Sequence, residues 1–185
     1  CSAMFARCQG NNIDILERVY IPHSLGFFYT AICQLIGFDR FGEEYKVMGL
    51  SAYGKPGYLD LMQRLLRPDN RGGYALAPEY FQPLQKGFRQ CINAQGEIAL
   101  PPLFTPALIR ELGPARTRES EIGQREMDLA CSCQQHFETI VIHCLQSLGS
   151  RVRLDSLVTA GGCALNGVCN ARILRDTPFK RSYIQ

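Results

Sequence analysis

The sequence lacks most of the patterns that would reveal a function directly. Its 185 residues include only three histidines, and no GxSxG, HxxxH or CxxC motif occurs. No apolar run approaches the roughly 18 residues that a membrane-spanning helix needs, and the opening stretch CSAMFARCQG is not a signal peptide. Lys and Arg number 20 against 17 Asp and Glu, and they are spread along the chain. We therefore expect a cytoplasmic protein that binds neither nucleic acid nor membrane.

Cysteine, by contrast, is abundant. The nine cysteines are odd in number and irregularly spaced, and most lie in apolar segments, which favours reduced, buried thiols over disulfides. The stretch CSCQQH could bring Cys131, Cys133 and His136 together as metal ligands. However, Cys131 and Cys133 would point about 200° apart on a helix, and zinc sites normally use paired cysteines. We expect nine reduced cysteines and no metal bound by this chain.

The first third of the chain predicts a hairpin followed by helices. SAMFARC and IDILERVYI alternate around the turn GNN, as strands of a β-hairpin do. PHSLGFFYTAICQLIGF predicts a core helix between the cap Ser24 and the stop Gly37. Shorter helices are expected at 44–52 and within LDLMQRLLR. Residues 72–119 are less regular, and only TPALIRELG has the Thr cap, first-turn Pro and terminal Gly of a helix.

The last third predicts an α/β arrangement. A long helix is expected over 121–148 because it carries one apolar stripe, formed by Met127, Ala130, Cys133, Phe137, Val141, Cys144 and Leu148. We expect this helix to pack on a sheet that contains a strand at 154–160. RSYIQ, at 181–185, predicts a further strand.

The stretch TAGGCALNGVCNARIL, at 159–174, joins the predicted strand to a helix through Gly161 and Gly162. A strand, a Gly-Gly turn and a helix opening with small residues can bring backbone N–H groups close to a phosphate or a sugar. The same pattern also occurs at ordinary strand-to-helix corners, where glycine permits tight packing. Asn166, one helical turn further on, could contact a ligand or cap the turn.

The segment FGEEYKVMGLSAYGKP, at 41–56, mixes charged residues with apolar and glycine-rich positions. Such a mixture suits a helix start packed against a ligand pocket. Glu44 and Lys46 are two apart and would diverge on a helix, so they are not a simple surface ion pair. The alternative is a solvated helix N-terminus, where Glu favours the positive end of the helix dipole.

These stretches together resemble a known family. IPHSLGFFYTAICQLIGF, EEYKVMGLSAYGKP, DLACSCQQHFE and VTAGGCALNGVCNARIL occur in the order found in carbamoyltransferases of the nodulation-protein NodU and antibiotic-tailoring class. The resemblance covers nearly the whole chain, and EYKVMGL with GGxALN is specific as a pair. It implies an α/β fold, part of a Kae1-like domain of the actin and sugar-kinase ATPase superfamily, which is ribonuclease H-like.

The resemblance also implies a chemistry. ATP and carbamoyl phosphate would give carbamoyl-adenylate in a YrdC-like domain, and the Kae1-like domain would pass the carbamoyl group to a hydroxyl of a small molecule such as a sugar, a Nod-factor-like or an antibiotic-like compound. Gly161, Gly162 and Asn166 would bind nucleotide, and Glu44 and Lys46 would have catalytic roles. All five would then line one concavity. The sequence departs from the family pattern at Cys163, where Val is usual, and at Gly167.

By the same resemblance, residues 1–185 would be an internal fragment of one Kae1-like domain. The family's iron-binding HxxxH pair would lie upstream, a further acidic ligand downstream, and the YrdC-like domain would be absent. Iron or another divalent metal is thus expected only in the full-length enzyme, and the fragment alone is expected to be inactive. Two alternatives remain: a related superfamily enzyme, such as a tRNA threonylcarbamoyl-transferase or a sugar kinase, and a non-enzymic nucleotide-binding module.

Overall fold

A computed structural model of the chain describes residues 1–82, 92, 96 and 98–185. It opens with an antiparallel hairpin formed by β1 (Ala3–Gln9) and β2 (Asn12–Val19). Gly10 in the turn has a φ of +58°, a conformation that glycine adopts without strain. The predicted hairpin is therefore confirmed.

Three helices follow the hairpin. In α1 (Leu25–Leu35), the Ser24 hydroxyl accepts a hydrogen bond from the Phe27 N–H at 3.3 Å, as expected for a cap. The predicted 44–52 helix is α2 (Glu44–Leu50) continued by a 3-10 turn (Ser51–Tyr53). Within LDLMQRLLR the predicted helix is α3 (Leu59–Leu65), and the last two residues of that stretch begin a strand instead.

The described residues of the middle of the chain, 66–82 and 98–119, include a small antiparallel pair and one helix. The pair is β3 (Leu66–Pro68) with β4 (Tyr74–Leu76). The helix is α4 (Pro106–Leu112), and the Thr105 hydroxyl caps it by accepting from the Ala107 N–H at 3.2 Å. The cap predicted for this helix is thus confirmed.

The long helix α5 (Gln124–Val152) organises the core. It begins after the predicted start at 121 and runs past the predicted end at 148, until Arg153 adopts a left-handed conformation with a φ of +53°. Of the predicted stripe, five residues are buried: Ala130, Cys133, Phe137, Cys144 and Leu148. The first four of these residues lie in an apolar core shared with α1, α3 and α4, and Leu148 belongs to a second, smaller cluster.

A parallel pair of strands closes the described chain. β5 (Ser156–Thr159) pairs with β6 (Arg181–Ile184), and α6 (Gly167–Asp176) lies between them in sequence. Leu157 of β5 belongs to a second cluster with Leu145 and Leu148 of α5, so the predicted packing of the long helix on this strand is confirmed. The strand is shorter than the predicted 154–160, because the Asp155 carbonyl accepts the Lys180 and Arg181 N–H groups outside the ladder.

Within the described ranges the chain is α/β, with three sheets of two strands each. The Kae1-like, ribonuclease H-like architecture stays a prediction. None of the described helices is long and apolar enough to cross a membrane.

The cysteines are less uniformly buried than the sequence suggested. Eight are free thiols, and Cys91 lies outside the described residues. Four are buried, at 33, 133, 144 and 169, whereas Cys1, Cys8 and Cys163 are exposed. No three His, Cys, Asp or Glu side chains of the described part cluster as metal ligands. His136 is instead buried, and its Nε2 lies 2.7 Å from the Leu66 carbonyl oxygen.

Candidate functional site

The Gly-Gly turn lies between β5 and α6, at the carboxyl end of a parallel strand. Gly161 has a φ of +100°, and Gly162 begins a 3-10 turn that ends at Leu165. Both glycines are exposed, and a Cβ added to either would meet no atom within 4 Å. Tight packing therefore does not explain these glycines. The positive φ accounts for Gly161, whereas nothing inside the described fold requires glycine at 162.

Asn166 caps the helix that follows the turn. Its Oδ1 accepts from the Cys169 N–H at 3.0 Å, which is the capping bond of α6. The same Oδ1 accepts from Gln134 Nε2 at 2.9 Å, and Asn166 Nδ2 donates to Gln134 Oε1, also at 2.9 Å. Two side-chain amides thus pair face to face and fix the orientation of Asn166. Of the two roles open for Asn166, the structure shows the cap; ligand contact stays a prediction.

Gln134 lies at the centre of a polar network that the sequence alone did not reveal. Gln134 is buried, with only 3% of the residue exposed. Gln134 Oε1 accepts from the Tyr29 hydroxyl at 2.7 Å, and Nε2 also donates to Glu138 at 2.8 Å. Arg172 of α6 donates to the other oxygen of Glu138 at 2.9 Å. One sequence signal could have indicated this network: the polar residues 134 and 138 are one helical turn apart and lie beside the apolar stripe of α5.

Glu44 is held against α1 on the same side as the turn. Its Oε1 accepts from the Thr30 hydroxyl at 2.8 Å. The Gly-Gly turn approaches α1 one helical turn before Thr30. There the sulfur of Cys163 faces Gly26, since a Cβ built on Gly26 would lie 3.9 Å from Cys163 Sγ. Although Cys163 as a residue is exposed, surrounding atoms shield its sulfur from solvent and raise the pKa of the thiol to about 11, and the Glu44 carboxylate adds to that rise. The helix start and the Gly-Gly turn therefore approach each other across α1.

Lys46 turns away from Glu44, as their two-residue spacing predicts. Its Nζ lies 2.5 Å from Glu43 Oε1 and 5.4 Å from the centre of the Phe38 ring. Glu43 is buried and also pairs with Arg118. Burial by itself would raise the pKa of Glu43, but hydrogen bonds from Arg118, Lys46 and the Arg40 N–H outweigh it and lower that pKa to about 2.

Three of the five predicted site residues, Glu44, Gly162 and Asn166, thus lie near α1. Glu44 contacts α1 directly, the turn that begins at Gly162 contacts α1 through Cys163, and Asn166 reaches α1 through Gln134 and Tyr29. Lys46 forms its ion pair with Glu43 instead. A cleft of about 290 Å³ lies elsewhere, beside the end of β2 and the 69–71 turn. The shared concavity and the five individual roles stay predictions.

Comparison with known proteins agrees with the resemblance seen in the motifs. A family model described as "Carbamoyltransferase N-terminus" matches residues 3–185. Over 184 residues the chain is 36% identical to an uncharacterized protein of Synechocystis, covering 96% of this chain and 27% of that protein. It is 28% identical to nodulation protein NolNO of Sinorhizobium fredii, covering 100% of this chain and 24% of that protein.

A third relative, nodulation protein NolO of Bradyrhizobium diazoefficiens, is 29% identical over 95% of this chain and 28% of its own length. The chain therefore spans about a quarter of the length of the curated relatives that it matches. Since the family model covers all but the first two residues, the chain belongs to the carbamoyltransferase N-terminus family.

Proposed function

We propose that this chain is the nucleotide-facing part of an ATP-dependent O-carbamoyltransferase of the cytoplasm. The family assignment supports carbamoyl transfer in general, and two relatives are nodulation proteins. The donor in this proposal is carbamoyl-adenylate, made from carbamoyl phosphate and ATP. The acceptor is a hydroxyl of a small molecule, such as a sugar, a Nod-factor-like or an antibiotic-like compound.

The observation that carries the proposal is the open space at Gly162. Glycine occupies this position although a side chain would meet no protein atom within 4 Å, and its backbone is exposed at the carboxyl end of a parallel strand. Ligands of open α/β sheets bind outside the carboxyl ends of their strands. A nucleotide placed against the turn would supply the missing reason for glycine, because a side chain would then meet the ligand.

The proposed step is a group transfer. The acceptor oxygen attacks the carbamoyl carbon of carbamoyl-adenylate, a new C–O bond forms, and the bond between that carbon and the phosphate oxygen breaks. AMP leaves with the electron pair of the broken bond, and the acceptor's proton passes to a base or to solvent. The products are a carbamate ester and AMP.

The chain's own residues would bind and orient the donor. Backbone N–H groups at 161 and 162 would face the nucleotide, and Asn166 would hold the turn and donate to the ligand. The Glu44 carboxylate would accept a hydrogen bond from a ribose hydroxyl, or would take the proton from the hydroxyl that receives the carbamoyl group. Lys46 would supply positive charge near phosphate or carbamoyl oxygens once a ligand competes with Glu43.

The family implies iron or another divalent metal in the full-length enzyme. In the described residues no three His, Cys, Asp or Glu side chains converge, so the residues present do not fit a metal centre.

The direct test uses the full-length protein. It is incubated with ATP, carbamoyl phosphate and a mixture of sugars and other hydroxyl compounds, and products are identified by mass spectrometry. We expect an acceptor that gains one carbamoyl group and depends on both ATP and carbamoyl phosphate. Gain of a phosphoryl group would indicate a sugar kinase instead, modification of added tRNA would indicate threonylcarbamoyl transfer, and nucleotide binding without any product would indicate a non-enzymic module.

A further inference from the structure

Gln134 is the buried link between the core and the Gly-Gly turn. Its two amide atoms make four hydrogen bonds, to the Tyr29 hydroxyl, the Glu138 carboxylate and both amide atoms of Asn166. Because the Glu138 carboxylate only accepts, the nitrogen of Gln134 faces Glu138, and the oxygen of Gln134 is left to accept from the Tyr29 hydroxyl. The surroundings therefore fix which way the Gln134 amide is turned.

That orientation is passed on to Asn166. Gln134 Nε2 can pair only with an acceptor, and Gln134 Oε1 only with a donor. Asn166 must therefore present Oδ1 to Gln134 Nε2 and Nδ2 to Gln134 Oε1. The same Oδ1 also receives the Cys169 N–H of the helix cap. If the Asn166 amide were flipped, its Nδ2 would face two other donors, Gln134 Nε2 and the Cys169 N–H, and both hydrogen bonds would be lost.

The consequence concerns the half-buried outer side of Asn166. Nδ2 carries two N–H donors, and within the described residues its hydrogen bond goes to Gln134 Oε1. Its second N–H lies near the Tyr29 hydroxyl, and a ligand at the turn would compete for it, whereas Oδ1 is already shared by two donors. We propose that Gln134 is a positioning residue that makes Asn166 present an N–H donor to the nucleotide, and that this donor selects an acceptor atom on that ligand. This inference rests on the proposed nucleotide site at the turn.

The test uses the full-length protein and AMP, the adenylate part of the proposed donor, as the probe. Gln134→Glu replaces the donor Nε2 by an oxygen. The new carboxyl can share a proton with the neighbouring Glu138, which leaves an acceptor oxygen facing Asn166 Oδ1. Asn166 is then driven to rotate. Gln135→Glu is the matched control, because Gln135 is the exposed neighbour on the same helix. Titration calorimetry measures AMP affinity, and circular dichroism measures the thermal midpoint.

A rescue variant separates orientation from stability. Gln134→Glu combined with Glu138→Gln restores a donor–acceptor pair between positions 134 and 138, and Arg172 can still donate to residue 138. It does not restore the donor that Asn166 Oδ1 needs. We expect AMP binding to weaken roughly 3- to 10-fold in Gln134→Glu, the range of one neutral hydrogen bond. In the double variant binding should stay weak while the thermal midpoint recovers in part, because the α6 cap stays broken.

The other possible results distinguish the positioning role of Gln134 from the nucleotide site itself. Wild-type affinity in Gln134→Glu, or affinity that recovers together with the midpoint in the double variant, overturns the positioning role alone. If Gln134→Glu does not fold, Gln134→Met takes its place, since it keeps the length of the side chain and removes the constraint on Asn166. If Gly162→Val binds AMP as the wild type does, no nucleotide site lies at the turn, and both the proposed site and this inference are wrong.

Discussion

Gly54 lies directly against the backbone of Met127 in α5. A Cβ built on Gly54 would lie 1.9 Å from the Met127 carbonyl oxygen and 2.3 Å from its carbonyl carbon. The next residue reinforces the contact, because the Lys55 N–H donates to Asp128 Oδ1 at 2.7 Å. The glycine at the end of EYKVMGLSAYG is therefore explained by close approach of two backbones, and it fixes the segment that carries Glu44 to the long helix.

Gly54→Ala is expected to destabilise the fold by about 3 kcal/mol or more, the upper end of the usual cost of overpacking, because backbone cannot move aside as a flexible side chain can. Chemical denaturation measures the free energy of unfolding. Gly49→Ala is the matched control in the same motif, since a Cβ at Gly49 meets nothing within 4 Å. Alanine there should stabilise α2 by about 1 kcal/mol through its higher helix propensity. Equal effects at 49 and 54 would contradict the packing explanation.

Gly162→Val is expected to leave the stability of the fold within about 1 kcal/mol of the wild type, because the space around the position is open. Transfer activity of the full-length protein should nevertheless fall at least tenfold if a nucleotide lies against the turn. Denaturation and product formation are measured on the same preparation. Full activity in a well-folded Gly162→Val variant would remove the nucleotide from this turn.

Gly161→Ala should behave in the opposite way. With a φ of +100° and a ψ of 166°, Gly161 has a backbone conformation essentially restricted to glycine, so we expect alanine to lower the free energy of unfolding by about 1–3 kcal/mol. Gly167→Ala is the control, because Gly167 lies at the start of α6 in open space. A Gly161→Ala variant as stable as Gly167→Ala would show that the turn relaxes.

Local patterns in the sequence were sufficient to predict most elements of the fold. The caps Ser24 and Thr105 and the stripe along α5 depend on residues near one another in sequence. Both caps are confirmed, and five of the seven predicted stripe residues are buried. The ends of α5 and β5 were predicted less well. They depend on tertiary partners, such as the bonds from residues 180 and 181 to Asp155.

The site was predictable only in part, for a physical reason. Spacing along a helix correctly indicated that Glu44 and Lys46 diverge, but it could not indicate that Lys46 pairs with Glu43 and thereby with Arg118. The pairing of Gln134 with Asn166 likewise joins residues 32 apart in sequence. A side chain in the middle of a helix has many potential partners, and only the packing of α1, α5 and α6 selects among them.

Glu43 is expected to make stability depend on pH in the acid range. Its pKa falls from an ordinary value of 4.5 to about 2 in the folded chain, so the folded state binds the proton less tightly than the unfolded state does. The resulting stabilisation is fully present above pH 4.5 and is lost as pH falls from there towards 2. Glu43→Gln should therefore cost about 1–2 kcal/mol at neutral pH, and the difference from the wild type should vanish near pH 2.

Urea denaturation at a series of pH values measures this difference. Glu119→Gln is the control, because Glu119 is exposed and its replacement should change the free energy of unfolding by less than about 0.5 kcal/mol. A Glu43→Gln difference that stays constant from pH 7 to pH 2 would contradict the role assigned to the carboxylate.

Lys46→Ala tests the remaining predicted site residue. Glu43 keeps its bonds to Arg118 and to the Arg40 N–H in this variant, so the fold should persist, with a loss of about 1 kcal/mol for a partly exposed ion pair. Transfer by the full-length protein should fall if Lys46 also serves phosphate or carbamoyl oxygens. Lys180→Ala removes a comparable lysine, 3.2 Å from Asp155 on the surface, and should leave transfer unchanged. Normal turnover in a folded Lys46→Ala variant would show that Lys46 only neutralises Glu43 and does not act in transfer. Glu44 and the Gly-Gly turn would then be the parts of the proposed site left to test.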